Sequence, residues 1–393
     1  RIKKDSIDYS VLEPQYGSNL PLAFSFDTKE YLPLEKQIPC YLTYTNSITH
    51  KIILDNLDKS AMYGGYVKGI GPRYCPSIED KIVRFKDKER HQLFLEPESI
   101  YTDSIYLQGF STSMPIDVQE KMVHSLKGLE NAEILKYAYA IEYDAIYPTQ
   151  FDATLMVKRW PGLYCGGQIC GTSGYEEAAG LGLMAGINAS LRIKNEEPLI
   201  LRRDESYIGV MIDDLINKGT KEPYRLLSSR AEFRLLIRHD NADIRLMKYG
   251  HRVGLINEEK YQKFLKKCDL IKENKEILEK TILSGNKKMV EEMTSLGIEN
   301  FKGGITVSNL LKRPNITFDM IKNYAPIKEG LDKTGEEQLE ILVKYEGYIE
   351  KGEGLRQRLR NPNTIKEYRK QLKALETEIL EQMKGFYDQF EGE

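Results

Sequence analysis

The chain has 393 residues, with 57 lysines and arginines against 59 acids for a formal net charge of −2, and is 41% hydrophobic and 30% charged. That balance excludes binding of nucleic acid through bulk charge and leaves only local basic patches for such a partner. No apolar run approaches the roughly 20 residues a membrane helix needs, and five scattered cysteines without CxxC spacing point to reduced thiols, not a disulfide framework or a metal site.

The sequence opens on Arg1 and polar residues with no apolar leader core, as expected of a chain whose beginning lies upstream. From about residue 37 to 193, short β-branched and aromatic runs alternate with glycine-rich breaks, predicting an α/β or α+β architecture. Strands are expected at 39–45, 92–95, 105–108, 134–142 and 154–157. Beyond Ser206 apolar residues recur at helical spacing through 208–215, 261–278 and 339–348, so this half reads as mostly helical. Pro314, Pro326 and the Gly303-Gly304 pair mark breaks between those helices. Two or three domains are expected at this length.

Two segments carry chemistry. In Gly69-Ile70-Gly71-Pro72-Arg73-Tyr74-Cys75-Pro76 the glycines and prolines impose an irregular loop, after which Ile78, Ile82, Val83 and Phe85 resume helical spacing. Ser77 and Asp80 have capping-box spacing, so Cys75 falls just outside a helix N-terminus, where partial positive charge and Arg73 favour the thiolate. Glu79, Asp80 and Lys81 then lie within a turn of the sulfur as proton-handling candidates. The plainer alternative for any cysteine is a small buried hydrophobe.

The second segment, residues 162–179, ends an apolar run in a glycine cluster and opens a helix rich in small residues. Glycines let backbone approach a ligand, and the helix start favours an anionic group such as a phosphate or a reduced flavin ring. A tight strand-to-helix turn, with glycines used for close packing, explains the same pattern.

Basic residues offer candidates for nucleic acid, not a motif. Arg225, Arg230, Arg234 and Arg238 would gather partly on one side of a helix and scatter along a strand; ion pairs with Glu222, Glu232 and Asp240 are the alternative. From Arg356 to Lys373 seven basic residues face a single acid, Glu367, a pattern shared by phosphate-facing surfaces and solvated helix faces. Tyr137, Tyr139, Tyr143 and Tyr147 all fall on odd-numbered positions, which suggests one face of a strand.

The strings GPRYCPSIEDK, GGQICGTSGYEEAA, RRDESYIGVMIDDL, TKEPYRLLSSRAEFRLLIRHDNADIRL and VKYEGYI resemble the tRNA uridine 5-carboxymethylaminomethyl modification enzyme family (MnmG, or GidA), over about residues 7–349. The resemblance implies a cytoplasmic, homodimeric FAD protein that works with a GTPase of the MnmE type. Methylenetetrahydrofolate and NADH serve the reaction, which installs an aminomethyl-type group on C5 of the wobble uridine. The implied fold is α/β, of the FAD-dependent, glutathione-reductase-like type with two dinucleotide-binding regions, incomplete here and followed by a mostly helical C-terminal region. No GxGxxG fingerprint occurs in the chain, so roughly the first third of the family's length is expected to precede it.

On the resemblance, residues 1–36 are a connecting segment and 37–150 an insertion domain with the nicotinamide and catalytic loop. Residues 151–205 end the FAD-binding domain, and 206–393 face tRNA and partner. Cys75 matches one of the family's two catalytic cysteines, with Arg73, Glu79, Asp80 and Lys81 beside it. Its nicotinamide contacts fall on 71–85, here Gly71, Pro72, Tyr74, Pro76, Ser77 and Phe85. The FAD contact falls on Gln168, in a turn shared with Gly167, Gly171 and Gly174. A nucleophile adding to C6 of uracil would make C5 electron-rich and ready for a one-carbon unit. A folate- and FAD-dependent tRNA uridine C5-methyltransferase would share the chemistry without GPRYCPSIEDK; a noncatalytic tRNA-binding scaffold would keep the fold without turnover.

Overall fold

The computed structural model describes residues 1–359 except 20–22, 24, 29, 67–76, 142 and 299, and leaves out the side chains of 355, 358 and 359. The chain divides into two units. The first, Arg1–Ile146 with Gly171–Ser173 and Thr220–Arg225, is built on a five-stranded sheet. Its strands are β1 (Ile2–Lys3), β2 (Glu13–Gln15), β3 (Cys40–Tyr44), β4 (Gln92–Pro97) and β5 (Ser104–Gln108), in the order β1-β5-β4-β3-β2. Every pairing is antiparallel, with Tyr41 opposite Leu95 and Leu95 opposite Leu107. Period-two alternation sends Leu93, Leu95, Ile105 and Leu107 into the core. There they meet Ile53 of α1 (Ser47–Asp55), Ile78 and Ile82 of α2 (Ile78–Arg84), and Val118 and Met122 of α3 (Ile116–His124). Asn46 caps α1 by accepting from the Ile48 and Thr49 amides, both at 3.0 Å.

Residues 1–36, expected as a connecting segment, supply two of these strands. The strand expected at 134–142 does not form among the described residues. Ile134 makes a single bridge to Ile2, and Ala138 spends its N–H on the Gln119 side chain in place of a neighbouring strand. The stretch 154–157 likewise holds only isolated bridges, because Leu155 takes a positive φ of 68° that breaks the extended run.

The second unit, Tyr147–Cys170, Gly174–Gly219 and Leu226–Glu393, is helical. Helices α4 (Tyr175–Ile193) and α5 (Tyr207–Lys218) pack together, and α6 (Ala242–Arg252) and α7 (Glu258–Lys280) follow. A two-strand hairpin, β6 (Ile282–Leu283) with β7 (Ile305–Thr306), encloses α8 (Lys287–Ser295). Helices α9 (Val307–Leu311), α10 (Phe318–Ile321), α11 (Lys333–Lys344) and α12 (Glu346–Leu359) complete it around Leu278, Met293, Leu310, Phe318, Leu339 and Val343. The breaks at Gly303-Gly304, Pro314 and Pro326 fall between elements as expected. The helix expected over 339–348 is divided, since Tyr345 leaves helical geometry at φ −105°, ψ 13°.

Candidate functional site

Gly71, Pro72, Arg73, Tyr74, Cys75 and Pro76 lie outside the described residues; their C-terminal anchor does not. Ser77 takes extended geometry at φ −61°, ψ 164° and its Oγ accepts from the Asp80 amide at 3.3 Å, so the N-cap falls where the spacing puts it. The reciprocal half of the box is absent. Asp80 turns its carboxylate to the Tyr63 hydroxyl at 3.0 Å and the Arg84 guanidinium at 3.1 Å. Burial, then this bond to Asp80, pushes the Tyr63 phenol up to about 12.

Glu79 is 0% exposed. Its Oε1 accepts from the Ser113 amide at 2.9 Å and the Ser113 hydroxyl at 2.8 Å, while Oε2 has no partner among the described residues. Lys81 donates from Nζ to the Gly109 carbonyl at 3.2 Å, and the Ile78 amide donates to the Ser111 carbonyl at 2.7 Å. The start of α2 is therefore stitched to residues 109–113, and two of the three proton-handling candidates, Glu79 and Lys81, are engaged in that stitching. Phe85 closes the helix, half exposed.

The glycine turn is shaped by backbone demands. Gly167 and Gly171 hold φ of +83° and +86°, a region that admits glycine and few other residues. A Cβ on Gly166 would stand 2.8 Å from the Gly182 Cα of α4, and one on Gly180 would stand 3.3 Å from Ile208 of α5. Close packing thus accounts for Gly166 and Gly180. It does not account for Gln168, which is exposed at the head of a 3-10 turn running to Cys170. Nor does it account for the start of α4, where Gly174 leaves the first amides without a side-chain cap. Exposed Gln168, the positive-φ glycines and the uncapped amides fit an anionic, ring-bearing group such as a flavin. Burial pushes the Cys170 thiol up to about 12 and raises that of Cys165 as well, which disfavours the thiolate at both.

Arg230 ends a 3-10 turn, and Arg234 and Arg238 sit on neither a helix nor a strand. A 3-10 turn at Ser228–Arg230 gives way to irregular backbone, and all three are half-buried. Arg238 is committed to Asp240 and Gln338. Glu232 pairs not with this series but with Arg203 at 2.9 Å. Arg356 pairs with Asp204 and Glu353; its run beyond 359 lies outside the described residues. Sequence reasoning missed Glu177, a buried acid whose Oε1 accepts from the Leu226 amide at 2.8 Å, and Arg203. Both stand inside the quoted strings, but Leu226 lies 49 residues from Glu177 and Glu232 lies 29 from Arg203, too far for local spacing to show.

Residues 1–197 match the family model "Glucose inhibited division protein A", and 258–353 match "tRNA modifying enzyme MnmG/GidA C-terminal helical domain". The chain is 54% identical over 351 residues to the tRNA uridine 5-carboxymethylaminomethyl modification enzyme MnmG of Bacillus licheniformis, covering 89% of this chain and 56% of that protein. It is 52% identical over 360 residues to the protein of the same name from Thermodesulfovibrio yellowstonii, covering 92% and 57%. A crystal structure of Aquifex aeolicus GidA superposes with a TM-score of 0.78 at 44% identity, over 91% of this chain and 56% of that one. The chain thus spans just over half the length of these relatives.

Proposed function

This chain belongs to the glucose inhibited division protein A (GidA, MnmG) family, and from that membership we propose that it is part of an FAD-dependent enzyme that modifies C5 of the wobble uridine of tRNA. The observation that carries this reading is 54% identity, over 89% of the chain, with a protein named for that modification. Ser77 caps α2 two residues along the chain from Cys75, and a helix start is where a cysteine thiolate is favoured. Cys75 is then the nucleophile toward C6 of uracil, and Arg73 assists its ionisation. Glu79, Asp80 and Lys81 hold the loop's exit in place.

Gln168, Gly167, Gly171 and Gly174 meet the flavin, which when bound supplies redox equivalents. Gly71, Pro72, Tyr74, Pro76, Ser77 and Phe85 are assigned to the nicotinamide of NADH, and methylenetetrahydrofolate is the one-carbon donor. The whole protein has the glutathione-reductase-like architecture with two dinucleotide-binding regions, acts as a cytoplasmic homodimer and pairs with an MnmE-type GTPase. No described helix is long and apolar enough to cross a membrane.

Replacing Cys75 by Ser in the protein with its complete FAD-binding region tests the reading. Wobble-uridine modification, read by mass analysis of tRNA nucleosides, is expected to collapse while tRNA affinity and flavin content stay near the parent's. Unchanged modification removes Cys75 from the mechanism.

A further inference from the structure

The first turn of α4 is open. The amides of Gly174, Tyr175 and Glu176 donate to no acceptor among the described residues, and Tyr175 is 94% exposed. An acid at the third position of a helix ordinarily closes such a start by reaching back to the amide of the cap residue. Glu177 holds that position, counted from Gly174 as the cap, and turns elsewhere. It is 2% exposed, and its Oε1 accepts from the Leu226 amide at 2.8 Å. Two residues earlier, the Tyr224 amide donates to the Gly171 carbonyl at 2.8 Å. The backbone at 224 and at 226 is thus bonded to the two ends of the stretch 171–177, and the carboxylate that could have capped α4 is one of those bonds. Open amides at a positive helix end favour a group that carries negative charge, and a flavin ring takes on negative charge when it is reduced.

We propose that Glu177 is a positioning residue for the flavin: engaged by the Leu226 amide, its carboxylate stays off its own helix start and leaves the first amides of α4 to the reduced ring. The inference rests on the flavin reading of this turn given above. Glu177 acts through the helix start and is not itself a catalytic residue.

Affinities for oxidised and for reduced FAD, measured without oxygen on the protein with its complete FAD-binding region, test it, with the urea midpoint alongside. Glu177→Asp keeps the charge but is one methylene shorter, and a short acid bonds amides of its own turn. Relative to oxidised FAD, it should bind reduced FAD about fivefold more weakly than the parent does, the worth of a typical helix cap, which reads as a fall in the flavin's reduction potential. Glu177→Gln reaches as far as the parent and brings no charge to the amides, so it should not penalise the reduced form. A role confined to stability would lower the urea midpoint, or weaken both redox forms together, and leave their ratio at the parent's. That result in Glu177→Asp overturns the inference, as does an equal penalty on the reduced form in Glu177→Gln. Glu177→Asn, which also bonds its own turn, repeats the test should Glu177→Asp not fold. If Gln168→Trp, which puts a bulky ring at the exposed head of the turn, binds FAD as tightly as the parent, the flavin does not meet this turn; that reading then fails first, and this inference with it.

Discussion

Two donors of Ser113 converge on one oxygen of Glu79, and solvent reaches neither oxygen. An acid four residues along the chain from Cys75 invites a proton-transfer role, but its Oε1 acts here as an acceptor that fixes residues 111–113 against α2. A buried carboxylate with an unpartnered oxygen is costly while ionised, and a neutral amide of the same shape costs less to bury. Glu79→Gln is therefore expected to keep its urea midpoint and retain uridine modification. Glu79→Ala, which strands the Ser113 amide, should cost about 1–3 kcal/mol. Lost modification in a fully stable Glu79→Gln would return the residue to proton transfer. The sequence made Ser77 legible because a cap and its amide lie three residues apart. It could not reveal Ser113, Tyr63 or Gly109, whose bonds to α2 span 34, 17 and 28 residues.

At the scale of elements, glycines that look alike in the string separate by what stands opposite them. Gly166 faces the backbone of Gly182, so a methyl group there must push the turn off α4. Gly186, on the exposed side of the same helix, has nothing within 4 Å of where its Cβ would be. Gly166→Ala should lower stability by about 1–3 kcal/mol through forced backbone shifts, whereas Gly186→Ala should raise it by about 0.5–1 kcal/mol by removing chain entropy from the unfolded state. Urea denaturation of the two variants side by side decides it, and an unshifted midpoint for Gly166→Ala would mean the turn is not held against the helix. Helix periodicity is readable where one stripe is buried, as in α7 with Phe264, Leu270, Ile271, Asn274 and Leu278. The tyrosines at 137, 139, 143 and 147 misled because alternation marks a strand only where a partner strand exists. Here Tyr137 bonds Glu120, and Tyr139 and Tyr147 remain exposed.

For the whole molecule, a net charge of −2 means that an anionic tRNA gains nothing from the overall field, so attraction must come from local clusters of cations. Asp240 pairs with Arg238, and Glu232, Asp213 and Asp214 pair with Arg203. Spacing alone could not disclose this, since it depends on which acid each arginine meets after folding. Each phosphate contact contributes about 0.7–0.9 to the slope of log affinity against log salt. The double variant R230Q/R234Q should therefore flatten that slope by about 1–2, and its affinity deficit should shrink as salt rises. Titrations of one tRNA between about 50 and 200 mM salt measure both effects. A parallel downward shift, with the slope preserved, would mean that these arginines shape the surface without touching phosphate, and the basic run beyond Arg356 would become the place to look.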